Sequence, residues 1–214
     1  MPLEKMHILT RMDSVSARFL VNALDKADPR GLHHAFCVAE VSHALGTVLE
    51  HERFTPEEFW LAGLLHDIGL LGIPKKITDK RGKLTKVQKE YIKHHTKLSK
   101  FMVDNLFTAP EISQAVLCHH ERTDGNGYPN GISGEDIPFM SRVVAIADSY
   151  DAMRSAAWLL KKRSHDNAVA ELGDCAGTQF DPEIVKHFHL HHDPIYVAYE
   201  KAKSLSIKDV MRRI

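Results

Sequence analysis

Cysteine is scarce and scattered in this chain. Cys37, Cys118 and Cys175 stand far apart with no CxxC pair, which argues against a disulfide framework or a thiolate zinc site. Net charge is missing as well. The 28 Lys and Arg balance 28 Asp and Glu, so no bulk positive field favours duplex nucleic acid or an anionic membrane, and a polyanionic ligand has to be met locally. Long apolar runs are absent; the richest, Leu61 to Ile73, is broken by His66 and Asp67 and falls short of membrane-spanning length. The start, Met1-Pro2-Leu3-Glu4-Lys5, lacks the basic-then-apolar pattern of a secretory signal. The expectation is a cytoplasmic protein with no membrane and no duplex nucleic acid among its partners. Internal repeats, low-complexity tracts and period-two strands with hairpin turns are also lacking.

What remains is a helical chain rich in histidine. At 214 residues it is long enough for one well-buried core, and it reads as a helical extension over 1–30 followed by one domain over 31–214. Thr55-Pro56-Glu57-Glu58 supplies an N-cap, a proline at the first helical position and a capping-box glutamate; the helix it opens delivers His66-Asp67 at its C-terminal end. Thr85-Lys86-Val87-Gln88 is a second capping box, predicting a helix that carries His95. Pro110 starts a third helix that leads into His119-His120. Ser133-Gly134-Glu135-Asp136 is expected to begin a fourth, running to Asp148 and Tyr150, and Asp181-Pro182-Glu183 caps another. The stretch Gly69 to Gly82 reads as a loop with a short turn.

Seven side chains suit metal: His34, His66, Asp67, His95, His119, His120 and Asp148. Neutral imidazoles with a carboxylate able to bridge match a pair of divalent transition metals. Asp67 is the natural bridge, with His34, His66 and Asp148 on one side and His95, His119 and His120 on the other. Water held between two such ions loses its proton near neutral pH, and the ions withdraw charge from a phosphoryl oxygen. Neighbours on a regular helix point roughly 100° apart, so His119 and His120 reach one ion only near a helix end. The chain past them, Glu121 to Gly125, fits such an end. Other histidines read as ordinary surface: His43, His51, and His94, which lies on a different face from His95. The run His187 to His192 reads as a solvated helix end without a carboxylate partner. Cys37 reads as a buried structural thiol, and Asp151 as a support for the helix or for a neighbouring ligand.

The ordered motifs carry a family resemblance. They are His34 to Ala39, Leu64-Leu65-His66-Asp67-Ile68-Gly69, Lys80 to Thr85, His119-His120-Glu121 through Gly127-Tyr128-Pro129, Ala145 to Ala152, and Gly177 to Pro182. Over about residues 30 to 190 the chain resembles an HD-GYP domain, the phosphodiesterase branch of the HD superfamily that degrades cyclic di-GMP in bacteria. The resemblance implies an all-α, HD-type helical bundle with a binuclear metal centre. It implies the same seven residues as ligands, Asp67 with a metal-bridging hydroxide as the catalytic group, and two divalent transition ions, iron or manganese. Gly127, Tyr128 and Pro129 would form a loop beside the substrate, with Lys83 and Arg142 the remaining cations near it. The products would be linear pGpG and GMP. A diguanylate cyclase (GGDEF) protein is the implied partner, and in an adaptor reading, with no receiver or sensory domain read here, regulation would be expected to come in trans. The chain departs from the family at Leu70, where a phosphate-contacting lysine is usual. It departs again at Ala157-Trp158-Leu159-Leu160, which replaces a basic stretch; Lys161-Lys162-Arg163 and a stacking Trp158 are the candidates to compensate. Arg30 stands where some relatives hold a third metal with a carboxylate, which argues for two. Two other readings stay open: a phosphohydrolase for another cyclic dinucleotide or nucleotide, and a catalytically weak signalling adaptor.

Overall fold

Helix α2 (Pro29–Leu49) is the axis of the molecule. The computed structural model describes residues 11–80, 82–155 and 162–214; Arg81 and the stretch Ala157 to Lys161 discussed above lie outside them. Asp28 caps α2 and Pro29 opens it. Buried residues lie on nearly every side of it, from Leu32 and Phe36 through Val38 and Val41 to Leu45, the pattern of a helix enclosed by others. Around it pack α1 (Arg11–Ala27), α3 (Pro56–Leu65), α8 (Phe139–Ser155), α10 (Pro182–Leu190) and α11 (His192–Ala202). Helices α6 (His95–Leu106) and α7 (Pro110–Cys118) pair with each other, and α7 also meets α3 and α8. Short α4 (Lys75–Thr78) and α5 (Lys86–Ile92) fill the connection between α3 and α6, α9 (His165–Asp174) joins α8 to α10, and α12 (Ile207–Arg213) closes the described chain. Among the described residues there is no strand, only one isolated bridge between Ala176 and Phe180. The all-α expectation holds.

The caps fall where the sequence puts them. Both capping boxes form, at Thr55/Glu58 and at Thr85/Gln88, and Asp181 accepts from the amides of Glu183 and Ile184. Helix α1 lays Ala17, Leu20, Val21 and Leu24 on the core, an i, i+3, i+4, i+7 stripe. Helix α3 is buried from Phe59 through Leu65. Each large apolar side chain taken out of water here contributes on the order of 1.5–3 kcal/mol, which fixes the end of α3 and so the place of His66 and Asp67.

Two helix boundaries differ from expectation. The helix opened at Thr85 stops at Ile92, and His95 begins a separate helix, α6, after a turn at Lys93-His94. The fourth predicted helix does not start at Ser133. Gly134–Asp136 is a single 3-10 turn, Ile137 is extended, and α8 begins at Phe139. Pro138 explains the shift, because its ring disfavours helical geometry at the residue before it.

Candidate metal centre

The seven candidate ligands come from five elements. His34 projects from α2, His66 and Asp67 sit just past the end of α3, and His95 is the first residue of α6. His119 and His120 follow the last turn of α7, and Asp148 lies on α8. Placing five of the seven at helix ends frees them from the fixed angular step of a helix interior. His119 and His120 therefore face the same space, with ring centroids 4.1 Å apart.

One local device orients the rings. His66 Nδ1 lies 2.7 Å from the Gly63 carbonyl, His95 Nδ1 2.7 Å from that of Ile92, and His119 Nδ1 2.8 Å from that of Val116. In each case the partner is three residues back, so Nδ1–H donates to the carbonyl and Nε2 keeps its lone pair for the centre. His34 reaches the same state differently: its Nδ1 lies 2.6 Å from Oδ2 of buried Asp151. The supporting role read for Asp151 matches this placement.

The lone pairs converge in two groups, His34 with His66 and Asp148, and Asp67 with His95, His119 and His120. His34 Nε2 is 3.2 Å from both His66 Nε2 and Asp148 Oδ1. Asp67 spans the groups. Its Oδ2 lies 3.5 Å from His66 Nε2, while Oδ1 lies 3.0 Å from His95 Nε2 and 3.6 Å from His119 Nε2. Asp67 Oδ1 is buried and receives no hydrogen bond. A buried carboxylate oxygen without a donor is costly, and neutral imidazoles facing it with lone pairs cannot supply one; only a protonated His95, 3.0 Å away, could. A cation satisfies them all, so the donor set fits a pair of divalent metals of the imidazole-and-carboxylate class.

Titration follows the same contacts, and not in one direction. Burial pushes the pKa of His66 down to about 4. Burial and the neighbouring His119 hold His120 well below the usual histidine value. Burial also acts on Asp67, but upward, and the charges of His66 and His95 outweigh it, holding the carboxyl well below its ordinary range. At His34 the lowering by burial is overcome by Asp148 and Asp151, and at His95 by Asp67, so both rings are raised.

A loop forms one wall of the centre. Glu121, buried directly after His120, accepts from the amides of Asn130 at 2.7 Å and Gly131 at 3.1 Å, which ties the loop's two ends together. Its flank is pinned to the Gly177–Pro182 motif: the Asp124 amide donates to the Thr178 carbonyl at 2.8 Å, and Arg122 Nη1 to Gln179 Oε1 at 3.0 Å. Gly127 passes so close to the chain behind it that a Cβ would stand 2.5 Å from Glu121 Cα and Arg122 N. The half-buried Tyr128 then lays its ring on His120, centroids 4.8 Å apart, and Pro129 follows through a cis peptide. Burial and the carboxylates of Asp67 and Asp148 push the Tyr128 hydroxyl up, so it stays protonated. Between loop and ligands lies a cavity of about 200 Å³, lined by His119, His120, Gly127, Tyr128 and Asp148 together with Arg122, Asn126, Ser149 and Gln179.

The predicted substrate cations stand elsewhere. Arg142 is paired with Asp181 and packs on the Phe139 ring, and Lys83 is exposed in the loop before α5; neither lines the cavity. Sequence reasoning missed two cations that stand closer. Lys93 places Nζ 5.3 Å from the Tyr128 ring centroid, and Arg122 is on the cavity wall. Arg122 lay within a motif already singled out; Lys93 had no signal beyond standing two residues before His95. Leu70 is half-buried in the 3-10 turn (Ile68–Gly72) that follows Asp67.

Comparison with known proteins agrees with this geometry. The model of the HD domain family matches residues 18–184. A cyclic di-GMP phosphodiesterase of Thermotoga maritima is 36% identical over 149 residues, covering 68% of this chain and 40% of its own length. The cyclic di-GMP phosphodiesterase response regulator RpfG of Xanthomonas campestris pv. campestris is 38% identical over 152 residues, with the same shares. In fold, the chain is similar to a Vibrio cholerae cyclic GMP-AMP specific phosphodiesterase (V-cGAP3), with a TM-score of 0.66 and 17% identity over 94% of this chain and 52% of that one. The chain belongs to the HD domain family, in its HD-GYP branch. It spans about two fifths of the length of the curated relatives named here.

Proposed function

We propose that the protein is a metal-dependent phosphodiesterase that hydrolyses cyclic di-GMP to linear pGpG and then GMP. The observation that carries this reading is Asp67, whose two carboxylate oxygens face two separate groups of ligand nitrogens beside the Gly127-Tyr128-Pro129 loop. In this reading His34, His66 and Asp148 would hold one divalent ion and His95, His119 and His120 the other, with Asp67 available to both. Iron and manganese suit such nitrogen-and-oxygen donors. When bound, the pair supplies Lewis-acid activation of water and of the phosphoryl oxygen. Water adds to phosphorus, the bond to the 3′ oxygen breaks, and that oxygen leaves as a hydroxyl after taking a proton. Tyr128 offers a protonated hydroxyl and a ring face to the dinucleotide, and Gly127 and Pro129 set its height. Lys93 brings positive charge to phosphate, where charge-assisted contacts are strong; Arg122, on the cavity wall, is already engaged by Asp124 and Gln179, and Lys83 and Arg142 do not line the cavity.

Metal-loaded protein incubated with cyclic di-GMP is expected to yield pGpG, and Asp67→Ala to lose turnover. Unimpaired turnover by that variant removes the mechanism; no turnover by the native, metal-loaded protein favours the adaptor reading. Leu70 motivates a second enzymatic reading in which another cyclic dinucleotide is preferred, and the same assay run with a panel of substrates decides between them. The reading also keeps residues 1–30 as an extension docked through α1. It places the protein in a reducing cytoplasm, in keeping with three free thiols. A diguanylate cyclase (GGDEF) partner would meet the loop around Tyr128, but hydrolysis does not require it.

A further inference from the structure

We infer that the protein carries a separate surface site, formed by His165, His192 and Asp193, for one divalent cation of the zinc, cobalt or nickel class. The three residues meet where α9 and α11 begin. His165 Nε2 lies 3.0 Å from His192 Nδ1, and Asp193 Oδ1 lies 3.5 Å from the same nitrogen. All three ligand atoms fall within 4.8 Å of one another. The His34, His66 and Asp148 group provides an internal ruler, with separations of 3.2, 3.2 and 3.9 Å. Two imidazoles and one carboxylate therefore recur at metal-ligand spacing on another face of the molecule.

The first ligand is held as metal-binding histidines are. Nδ1 of His165 is 2.8 Å from the hydroxyl of fully buried Tyr150. The Tyr196 ring stacks on the imidazole at 4.6 Å. With Nδ1–H donated to the tyrosine oxygen, the lone pair of Nε2 is presented outward. Arg154 is the neighbouring cation that opposes a metal, and it is engaged by Glu200 at 3.1 Å and the Arg163 carbonyl at 3.0 Å. The other histidines of the run His187 to His192 do other work: His189 bonds the Val169 carbonyl, and His187 and His191 stack on each other. The donor set is too nitrogen-rich for magnesium or calcium, and the exposed side leaves coordination positions for water. A bound ion would clamp α9 to α11 over Tyr150 of α8.

Zinc titration of the full chain, followed by calorimetry with and without His192, separates this site from the main centre by difference. The expected result is that His192→Ala and Asp193→Asn each lose about one bound ion per chain, or weaken it by about tenfold or more. His191→Ala is expected to keep the ion, with helicity by circular dichroism unchanged in all three. Equal zinc binding with and without His192 overturns the inference and leaves the His165–His192 contact an ordinary hydrogen bond. Loss in His191→Ala alone overturns it too.

Discussion

Four of the five imidazoles of the main centre commit one ring nitrogen to their own orientation and offer the other. For His66, His95 and His119 the anchor is a carbonyl three residues back; for His34 it is Asp151. This division of labour has a consequence in pH. His34 and His95 have raised pKa values, so they take up protons above the usual histidine range, and a metal must displace those protons. His66 stays neutral until about pH 4 and adds no competition above that. Metal affinity is therefore expected to fall as pH drops below the raised pKa values of His34 and His95, by about tenfold per unit for each proton displaced. Chelator competition at several pH values measures the slope; a flat profile contradicts the assigned protonation. The candidate ligands stood out as an ordered set rather than residue by residue, since His-His and His-Asp pairs also occur elsewhere in the chain, as at His94-His95 and His165-Asp166. The Nδ1 anchors did not, since a carbonyl has no sequence signature.

Helix ends and one tight contact set the spacing between ligands. The 3-10 turn after Asp67 presses on α6 at Gly69, whose amide donates to Ser99 Oγ at 2.9 Å while that hydroxyl donates to the His66 carbonyl at 2.8 Å. A Cβ at Gly69 would lie 2.1 Å from the His95 carbonyl oxygen and 2.5 Å from Ser99 N. Gly69→Ala must push α6, and with it His95, away from Asp67. The expected outcome is a loss of about 1–3 kcal/mol in stability, with weaker metal binding, read by thermal melts and metal analysis. An unchanged melting temperature with full metal content counts against this packing argument. Capping boxes at Thr55 and Thr85 marked helix starts correctly because they are local side-chain-to-backbone chemistry. The break before His95 escaped notice because Lys93-His94 carries no breaker residue, whereas the start of α8 was placed at Ser133 although Pro138 stands just before its true first residue.

Across the whole molecule, five elements well separated in sequence, α2, α3, α6, α7 and α8, bring seven candidate ligands into two adjoining groups. Ions binding there tie these elements together only in the folded state, so they stabilise it by mass action. Chelation is expected to lower the melting temperature by the equivalent of about 2.7 kcal/mol when free metal had stood at about 100 times its dissociation constant. A melt insensitive to chelator and to added metal speaks against a shared site. The order of the motifs along the chain announced an all-helical fold, the ligand types and the loop at Gly127-Tyr128-Pro129, because each rests on local pattern or on residue chemistry. Distances were another matter. That Arg142 is consumed by Asp181, that Lys93 stands over Tyr128, and that His165 comes to His192 from 27 residues away follow from how helices pack, and packing depends on the shape of the whole core rather than on any stretch of letters.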